Sequence, residues 1–518
     1  MSLDETISAR TTRFVESTLT ADATTVQAHL SSQRVAVTLD PAVGGTFAGQ
    51  MILFTLLNLL VRLELYAPQL EVTLPEVERH SLLRLLDSGP FPRVLERFFA
   101  PFPAARRLRI STTPVGCDAP TLRLVVGPQP AAADTLSAWA DGWVSYLNAE
   151  APFRVEDANS VGACVAADFA AAEVFKRLIS RLPLRPGLKV LPIGRLVFSA
   201  YDYQLSPGPN PPLPTAIDVD GVVVVGLGGI GAGFVTAASA LPGLAGLLTL
   251  VDKDLLDQTN LNRLLYVRPG DTGFKVHLSR RVLSFHAEID ARAEWFDEFI
   301  AARGSHHDLV VVGVDKDPVR RAIQHSMPRL IFNGGTSDTA SFQLTRHDYL
   351  HGACLACIAT EEVDDYPVER ELARQLGLDL DTVLQYLKSG EPLPVTLLRE
   401  RGILTEVDIE RLGDRPLAEI QARVCAQLPL GTEKQQEAVS ISFLSALPGF
   451  LLLGEVIKER SYPGVPRTPL NETANHLLLS LLGHPSQALL GDCWQKAPEC
   501  DCLRPAYQRN YQRKWGKP

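Results

Sequence analysis

The apolar residues of this chain gather into short unbroken blocks. Val222–Val225, Leu247–Val251, Leu309–Val314 and Leu330–Phe332 carry no charged residue, and the first is four valines in a row. Blocks of this length, rich in β-branched residues, read as strands buried on both faces, as in a parallel sheet. A fainter set precedes them: Arg34–Leu39, Leu70–Leu74, Arg107–Ser111, Leu122–Val126 and Gly142–Leu147 as strands, with helical periods over Phe47–Leu63 and the Ala-rich Asn159–Ile179. Between the two sets stands Ser206–Pro214, SPGPNPPLP, a stiff connector. Beyond them, residues 361–437 are rich in charge, with helical periods at Val383–Leu387 and Leu397–Ile409. An apolar segment, Ala438–Lys458, then closes the pattern.

The length of 518 residues allows two to four domains, and 46% hydrophobic with 21% charged residues is a globular balance. A net charge of −9 argues against general nucleic-acid binding. The start of the chain lacks a basic segment followed by an apolar one, so no signal peptide is expected. The longest apolar run, Met51–Val61, is broken by Arg62 and is too short to span a bilayer, so it reads as a core helix and no membrane partner is expected. Eight cysteines in a chain this long do not make a disulfide scaffold. A reducing, cytoplasmic setting with a metal site and a reactive thiol is the expected use.

The valine block runs into Gly226-Leu227-Gly228-Gly229-Ile230-Gly231. Glycines there let the backbone turn sharply and approach a phosphate, and the following helix offers it an N-terminus. Asp252, at the end of the next strand, has the spacing of a ribose-binding carboxylate. A dehydrogenase would share these features, but would not need Asn260, Arg263, Lys275 and Asp315 where they stand. Arg263 and Lys275 suit the neutralisation of triphosphate oxygens. Asp315, at a strand end on the sheet's carboxyl edge, suits Mg²⁺. This series resembles the adenylating domain of ubiquitin-activating enzymes and their ThiF/MoeB-type relatives. Their pattern is a glycine-rich loop, Asp-x-Asp, Asn-Leu-x-Arg, a Gly-x-x-Lys-like segment and a strand ending in Asp. Here it falls on Gly226 to Gly231, Asp252 and Asp254, Asn260 to Arg263, Gly273 to Lys275, and Asp315.

The resemblance implies an α/β fold of two tandem Rossmann-like halves, inactive then active, with a helical catalytic-cysteine insertion. Residues 1–205 would be the degenerate half and 206–360 the active adenylation domain binding ATP and Mg²⁺. Residues 361–437 would be the insertion, and 438–518 the closing helix, strands and a zinc-binding end. The family's Tyr-x-Arg-Gln arm stands here as Tyr201-Asp202-Tyr203-Gln204, without the arginine. Arg13, with Arg10 as alternative, would then be the arm serving the active half. Cys354 and Cys357 form a CxxC, and Cys500 and Cys502 a CxC where the family has a second CxxC. These four are the expected Zn²⁺ ligands, with Cys493 in reserve, while Cys164 reads as a small core residue. Cys425, just before the closing segment, is the expected thioester nucleophile, although it also borders an apolar stripe of Leu417, Ile420, Val424 and Leu428.

The activity so implied is adenylation of the C-terminal glycine of a ubiquitin-like protein, then transfer to Cys425 for a ubiquitin-conjugating-like enzyme. A bacterial antiphage operon of the Bil type is a plausible home. A pseudodimer in one chain would be able to act as a monomer. Adenylation of a sulfur-carrier protein, an NAD-dependent oxidoreductase and a non-catalytic scaffold stand as alternatives.

Overall fold

The structure is a computed structural model. It describes every residue except 1, 114–119, 130–134, 153–157, 186–187, 286, 337–340, 360–371, 374–375, 402–408, 410–411, 418–440, 463–469, 473, 484–489 and 517–518. The chain divides into two compact units, Met1–Thr360 with Ala438–Pro518, and Glu361–Glu437.

The first unit contains two large sheets. In the first, β1 (Arg34–Leu39), β2 (Gln69–Thr73), β3 (Leu108–Ser111), β4 (Leu122–Val126), β5 (Thr135–Asp141), β6 (Val144–Leu147) and β7 (Leu196–Ser199) are ordered 3-2-1-4-5-6-7. The first five run parallel, and β6 and β7 turn back antiparallel. A small ribbon pairs β8 (Ile217–Asp218) with β10 (Leu244–Ala245). The second sheet repeats the first one's plan. Its strands are β9 (Val222–Val225), β11 (Leu247–Val251), β12 (Glu288–Arg292), β13 (Leu309–Val312), β14 (Leu330–Thr336), β15 (Ser341–His347), β18 (His476–Ser480) and β19 (Leu490–Asp492); β16 and β17 belong to the second unit. The order is 12-11-9-13-14-15-18-19, parallel to β14 and antiparallel after it. All four valines of β9 are buried, as a central parallel strand covered on both faces requires.

Helices join the two plans. α1 (Leu3–Thr18) opens the chain on a Ser2–Glu5 capping box. α2 (Phe47–Val61) follows β1 and α3 (Ser160–Ile179) closes the first half; α4 (Gly229–Ala238) follows β9, α5 is Lys275–Leu283, and α6 (Ser442–Ser461) closes the second half. α3 packs on α2, α6 packs on α4, and α3 and α6 pack on each other. The α4–α6 crossing is backbone on backbone: a Cβ on Gly449 would sit 2.0 Å from the Ile230 carbonyl oxygen.

Two reciprocal hydrogen bonds show how alike the halves are. Ser160 Oγ, starting α3, donates to the Ala237 carbonyl near the end of α4 at 2.8 Å. Ser442 Oγ, starting α6, donates to the Leu59 carbonyl near the end of α2, also at 2.8 Å. Each closing helix also carries a buried Glu–Lys pair at the same distance from its start, Glu173 with Lys176 and Glu455 with Lys458. The hydroxyl of Tyr203 donates to Glu455. The tyrosine that replaces the arm's arginine is therefore a core residue.

Two boundaries differ from the sequence reading. β13 ends at Val312 rather than Val314, because the chain leaves the sheet where Gly313 passes close to the Gly226 carbonyl. β14 continues through Asn333, Gly334 and Gly335 to Thr336, because β15 pairs back along all of them. The sequence reading also lacked β5, β7, β12, β15 and α1.

The second unit has its own small core of Leu376, Val383, Leu393, Leu398, Ile409 and Leu417. It holds the helices Leu380–Ser389 and Val395–Arg401, and a two-residue pairing of β16 (Pro392–Leu393) with β17 (Arg415–Pro416). Cys425 and the segment 418–440 lie outside the described residues. No helix among the described residues is long and apolar enough to cross a membrane.

Candidate nucleotide-binding site

A cavity of about 800 Å³ opens at the carboxyl ends of β9, β11 and β13. Ligand crevices fall at this edge of open α/β sheets. A second, more open cleft of about 530 Å³ lies at the start of β11, by Leu247 and Asp220, away from the glycine turn.

The floor of the cavity is the turn from β9 into α4. Gly226 has φ +88°, and a Cβ there would lie 2.7 Å from Val314 Cγ1. Gly231 does not line the cavity but lets α4 start hard against the turn, since its Cβ would be 2.2 Å from the Gly226 carbonyl oxygen. Gly228 is the N-cap of α4 and supplies no side-chain cap, so the first N–H groups of the helix stay available to an anion. Asp252 accepts from the Leu227 amide at 2.6 Å and from the Asp254 amide at 2.8 Å. It therefore ties the glycine turn to the end of β11. Burial raises its pKa, with Lys275 pulling the other way.

The cations are prearranged. Lys275 is the first residue of α5, where the helix dipole disfavours a positive charge. Asp254 compensates, accepting from Lys275 Nζ at 2.8 Å and from Lys253 Nζ at 2.8 Å. Burial works against the Asp254 carboxylate, but these two lysines hold its pKa below the usual value. Arg263 is buried beside Gly229 and donates to the Thr259 carbonyl at 3.1 Å and to Asn262 Oδ1 at 2.9 Å. Asn260 caps its own short helix, accepting from the Asp257 amide at 3.3 Å. Asp315 is exposed on the wall and has no hydrogen-bond or ion-pair partner among the described residues.

The structure brings together Gly226, Gly228, Gly229, Asp252, Asp254, Asn260, Arg263, Lys275 and Asp315 around one space. Arg13 is not part of it: Arg13 is exposed and outside the lining, whereas Arg10, one turn earlier on α1, lines the cavity. The reason is helical phase. α1 buries Ile7, Thr11 and Phe14 and packs on the Gln258–Asn262 turn, which leaves Arg10 facing the site. Arg10 acts on that turn as well, since Asp257, held low chiefly by Thr259, is lowered further by Arg263 and Arg10.

Sequence reasoning missed Trp295 and Arg320. Trp295 is half exposed at the cavity mouth, with Lys253 Nζ 4.1 Å over its ring. Arg320 donates to Asp317 Oδ1 at 2.8 Å and to the Val314 carbonyl at 2.9 Å, which fixes the residue before Asp315. Their position just after β12 and β13 was the available signal. Among the described lining residues, six basic side chains face four acidic ones in a protein of net charge −9. The cavity is locally positive and suits a polyanion.

At the matching point of the first sheet, side chains pack against the turn after β1. Pro75 lies against Gly44, where a Cβ would meet its ring at 2.3 Å. Gln50 donates to the Gly44 and Glu78 carbonyls and accepts from the His80 amide, at 2.7–2.9 Å.

Four cysteines meet elsewhere in this unit. Cys354, Cys357, Cys500 and Cys502 have all their sulfurs within 4.8 Å of one another and form no disulfide. Cys354 Sγ lies 3.7 Å from Cys357 and 3.5 Å from Cys500, and Cys357 lies 3.5 Å from Cys502. Four thiolates on tetrahedral zinc would stand about 3.8 Å apart, so this donor set fits that ion. Cys493 is outside the cluster, beside Gln495. Cys164 is fully buried, and burial pushes its pKa far up.

A fold and a site of this kind define a nucleotide-binding protein with a glycine-turn phosphate site. Residues 216–459 match the ThiF family, and residues 34–184 match the BilD N-terminal domain. Residues 216–459 are thus similar to the ThiF family, whose adenylating enzymes activate their substrates by adenylation. The chain is 28% identical over 403 residues to the uncharacterized protein y4jF of Sinorhizobium fredii (strain NBRC 101917 / NGR234), covering 73% of this chain and 74% of that one. It is 29% identical over 175 residues to ubiquitin-like modifier-activating enzyme 5 of Drosophila mojavensis, covering 29% of this chain and 43% of that one. The chain thus spans less than half of that activating enzyme. The crystal structure of E. coli MccB with AMPCPP and MccA is also similar, with a TM-score of 0.32 and 14% identity over 55% of this chain and 66% of that one.

Proposed function

We propose that this chain activates the C-terminal glycine of a ubiquitin-like protein. One carboxylate oxygen attacks the α-phosphorus of ATP, the bond from that phosphorus to the pyrophosphate oxygen breaks, and an acyl adenylate forms. No general base is needed, because the nucleophile is already an anion. Arg263, Lys275 and Arg10 stabilise the charge that builds on the phosphates, and the N–H groups at the start of α4 receive them. Asp252, which ties the glycine turn to the end of β11, would face the ribose. Asp315, an exposed carboxylate on the cavity wall, would hold Mg²⁺, whose charge offsets repulsion between phosphates. The thiolate of Cys425 then attacks the acyl carbon and AMP leaves, giving a thioester that a conjugating enzyme accepts. The four clustered cysteines would hold a structural Zn²⁺.

The observation that carries this reading is the Lys275–Asp254 pair, Arg263 and Asp315 lining one cavity with the open helix start at Gly228. The ThiF match, the likeness to ubiquitin-like modifier-activating enzyme 5 and the BilD N-terminal domain support a ubiquitin-like substrate and a Bil-type conjugation system. On this reading the first half is inactive, with Pro75 and Gln50 packed against its Gly44 turn. The test is AMP release with a candidate ubiquitin-like protein. Turnover with a free C-terminal glycine and none with a C-terminal carboxamide is expected, while equal turnover with both would contradict the reading.

A further inference from the structure

Asn58 and Arg62 belong to the first half, yet they give their hydrogen bonds to the second. Asn58 Nδ2 donates to the Leu265 carbonyl at 2.7 Å. Arg62 donates through Nη1 to the Leu261 carbonyl, through Nη2 to the Val267 carbonyl at 2.7 Å, and through Nε to Asn58 Oδ1 at 2.7 Å. The guanidinium is fully buried, with the Phe102 ring 4.8 Å away, and burial pushes its pKa down to about 9. A cation in such a place is held by using its donors, and here they are used on carbonyls of one segment.

The three carbonyls bracket Arg263, one two residues before it and the others two and four residues after it. Leu264, Leu265 and Val267 are fully buried and Leu261 nearly so, so water cannot take over these carbonyls. The same segment begins with Asn260, and both Asn260 and Arg263 line the cavity.

We infer that Asn58 and Arg62 are positioning residues for the nucleotide cavity. They fix the height and register of the segment that carries Asn260 and Arg263, so the first half completes the site in the second. The inference rests on reading that cavity as the ATP site. It also gives the first half a role that needs no ligand of its own.

The test uses the full chain with Asn58→Asp and Arg62→Lys. A carboxylate at position 58 would still accept from Arg62 but would face the Leu265 carbonyl with another acceptor. A lysine at position 62 cannot make three divergent bonds. Hydrogen exchange over residues 258–267 is measured without nucleotide, and ATP affinity by calorimetry. Both variants are expected to melt cooperatively, to exchange faster in this segment alone, and to bind ATP on the order of tenfold more weakly, as displaced binding groups do. Leu124→Ala, a cavity in the first sheet's core, is the control, with unchanged exchange at 258–267 and unchanged affinity. If Arg62→Lys does not fold, Asn58→Asp decides. Wild-type exchange and affinity in the folded variants would overturn the inference, as would equal weakening by Leu124→Ala. A wild-type protein that binds no ATP while Asn58→Asp still loosens the segment would instead overturn the nucleotide reading.

Discussion

The cavity is built around a few charges whose places are set by backbone geometry. Lys275 stands at a helix start that disfavours it and is kept there by Asp254. The arm arginine is decided by helical phase: Arg10 faces the cavity and Arg13 faces solvent. Arg10→Ala is expected to slow adenylate formation on the order of 10²-fold, the usual cost of losing one donor aimed at transition-state charge. Arg13→Ala is expected to leave it nearly unchanged. Single-turnover formation of AMP-linked product measures both, and the reverse ranking would return the role to Arg13. Sequence pattern identifies a basic turn in this region, but the phase of α1 depends on its packing on the Gln258–Asn262 turn, a contact between residues far apart in the chain.

Among the elements, the parallel strands of the second half were the most legible. Val222–Val225 and Leu247–Val251 are buried on both faces and have no alternative reading. β5 was missed because Thr135, Ser137 and Asp141 break its apolar run, although nearly all of the strand is buried in the sheet. The repeat of the two halves was legible only faintly. The Ser and the Glu-x-x-Lys of α3 and α6 recur at matching offsets, but the surrounding sequence differs. The cysteine quartet joins the turn at Cys354 and the segment at Cys500, and the CxC pair that the sequence reading put ahead of Cys493 is the one the fold brings to it. Purified protein is expected to carry about one zinc per chain, and Cys357→Ser or prolonged chelation should lower its melting temperature. Metal analysis that finds no zinc in a protein melting as before would leave the quartet as packed thiols.

At the scale of the whole molecule, one half carries the nucleotide cavity, and at the matching point of the other Pro75 and Gln50 pack against the Gly44 turn. Each closing helix starts by bonding to the other half. The fold therefore presents one site made from residues of both halves, with Arg10 from the first and the glycine turn from the second. In the proposed reaction, transfer beyond the adenylate is assigned to Cys425. Cys425→Ala is expected to keep pyrophosphate exchange and to lose a thiol-sensitive adduct with the ubiquitin-like protein on a non-reducing gel. Persistence of that adduct would move the role to another cysteine, Cys493 first.

The central claim is that this cavity adenylates a carboxylate, and exchange of labelled pyrophosphate into ATP tests it most directly. Wild-type protein with a ubiquitin-like partner ending in glycine should exchange label. Asp315→Ala should lose that exchange by on the order of 10²-fold or more while melting like wild type, because Asp315 is exposed and has no hydrogen-bond or ion-pair partner among the described residues. Wild-type exchange in Asp315→Ala would contradict the account.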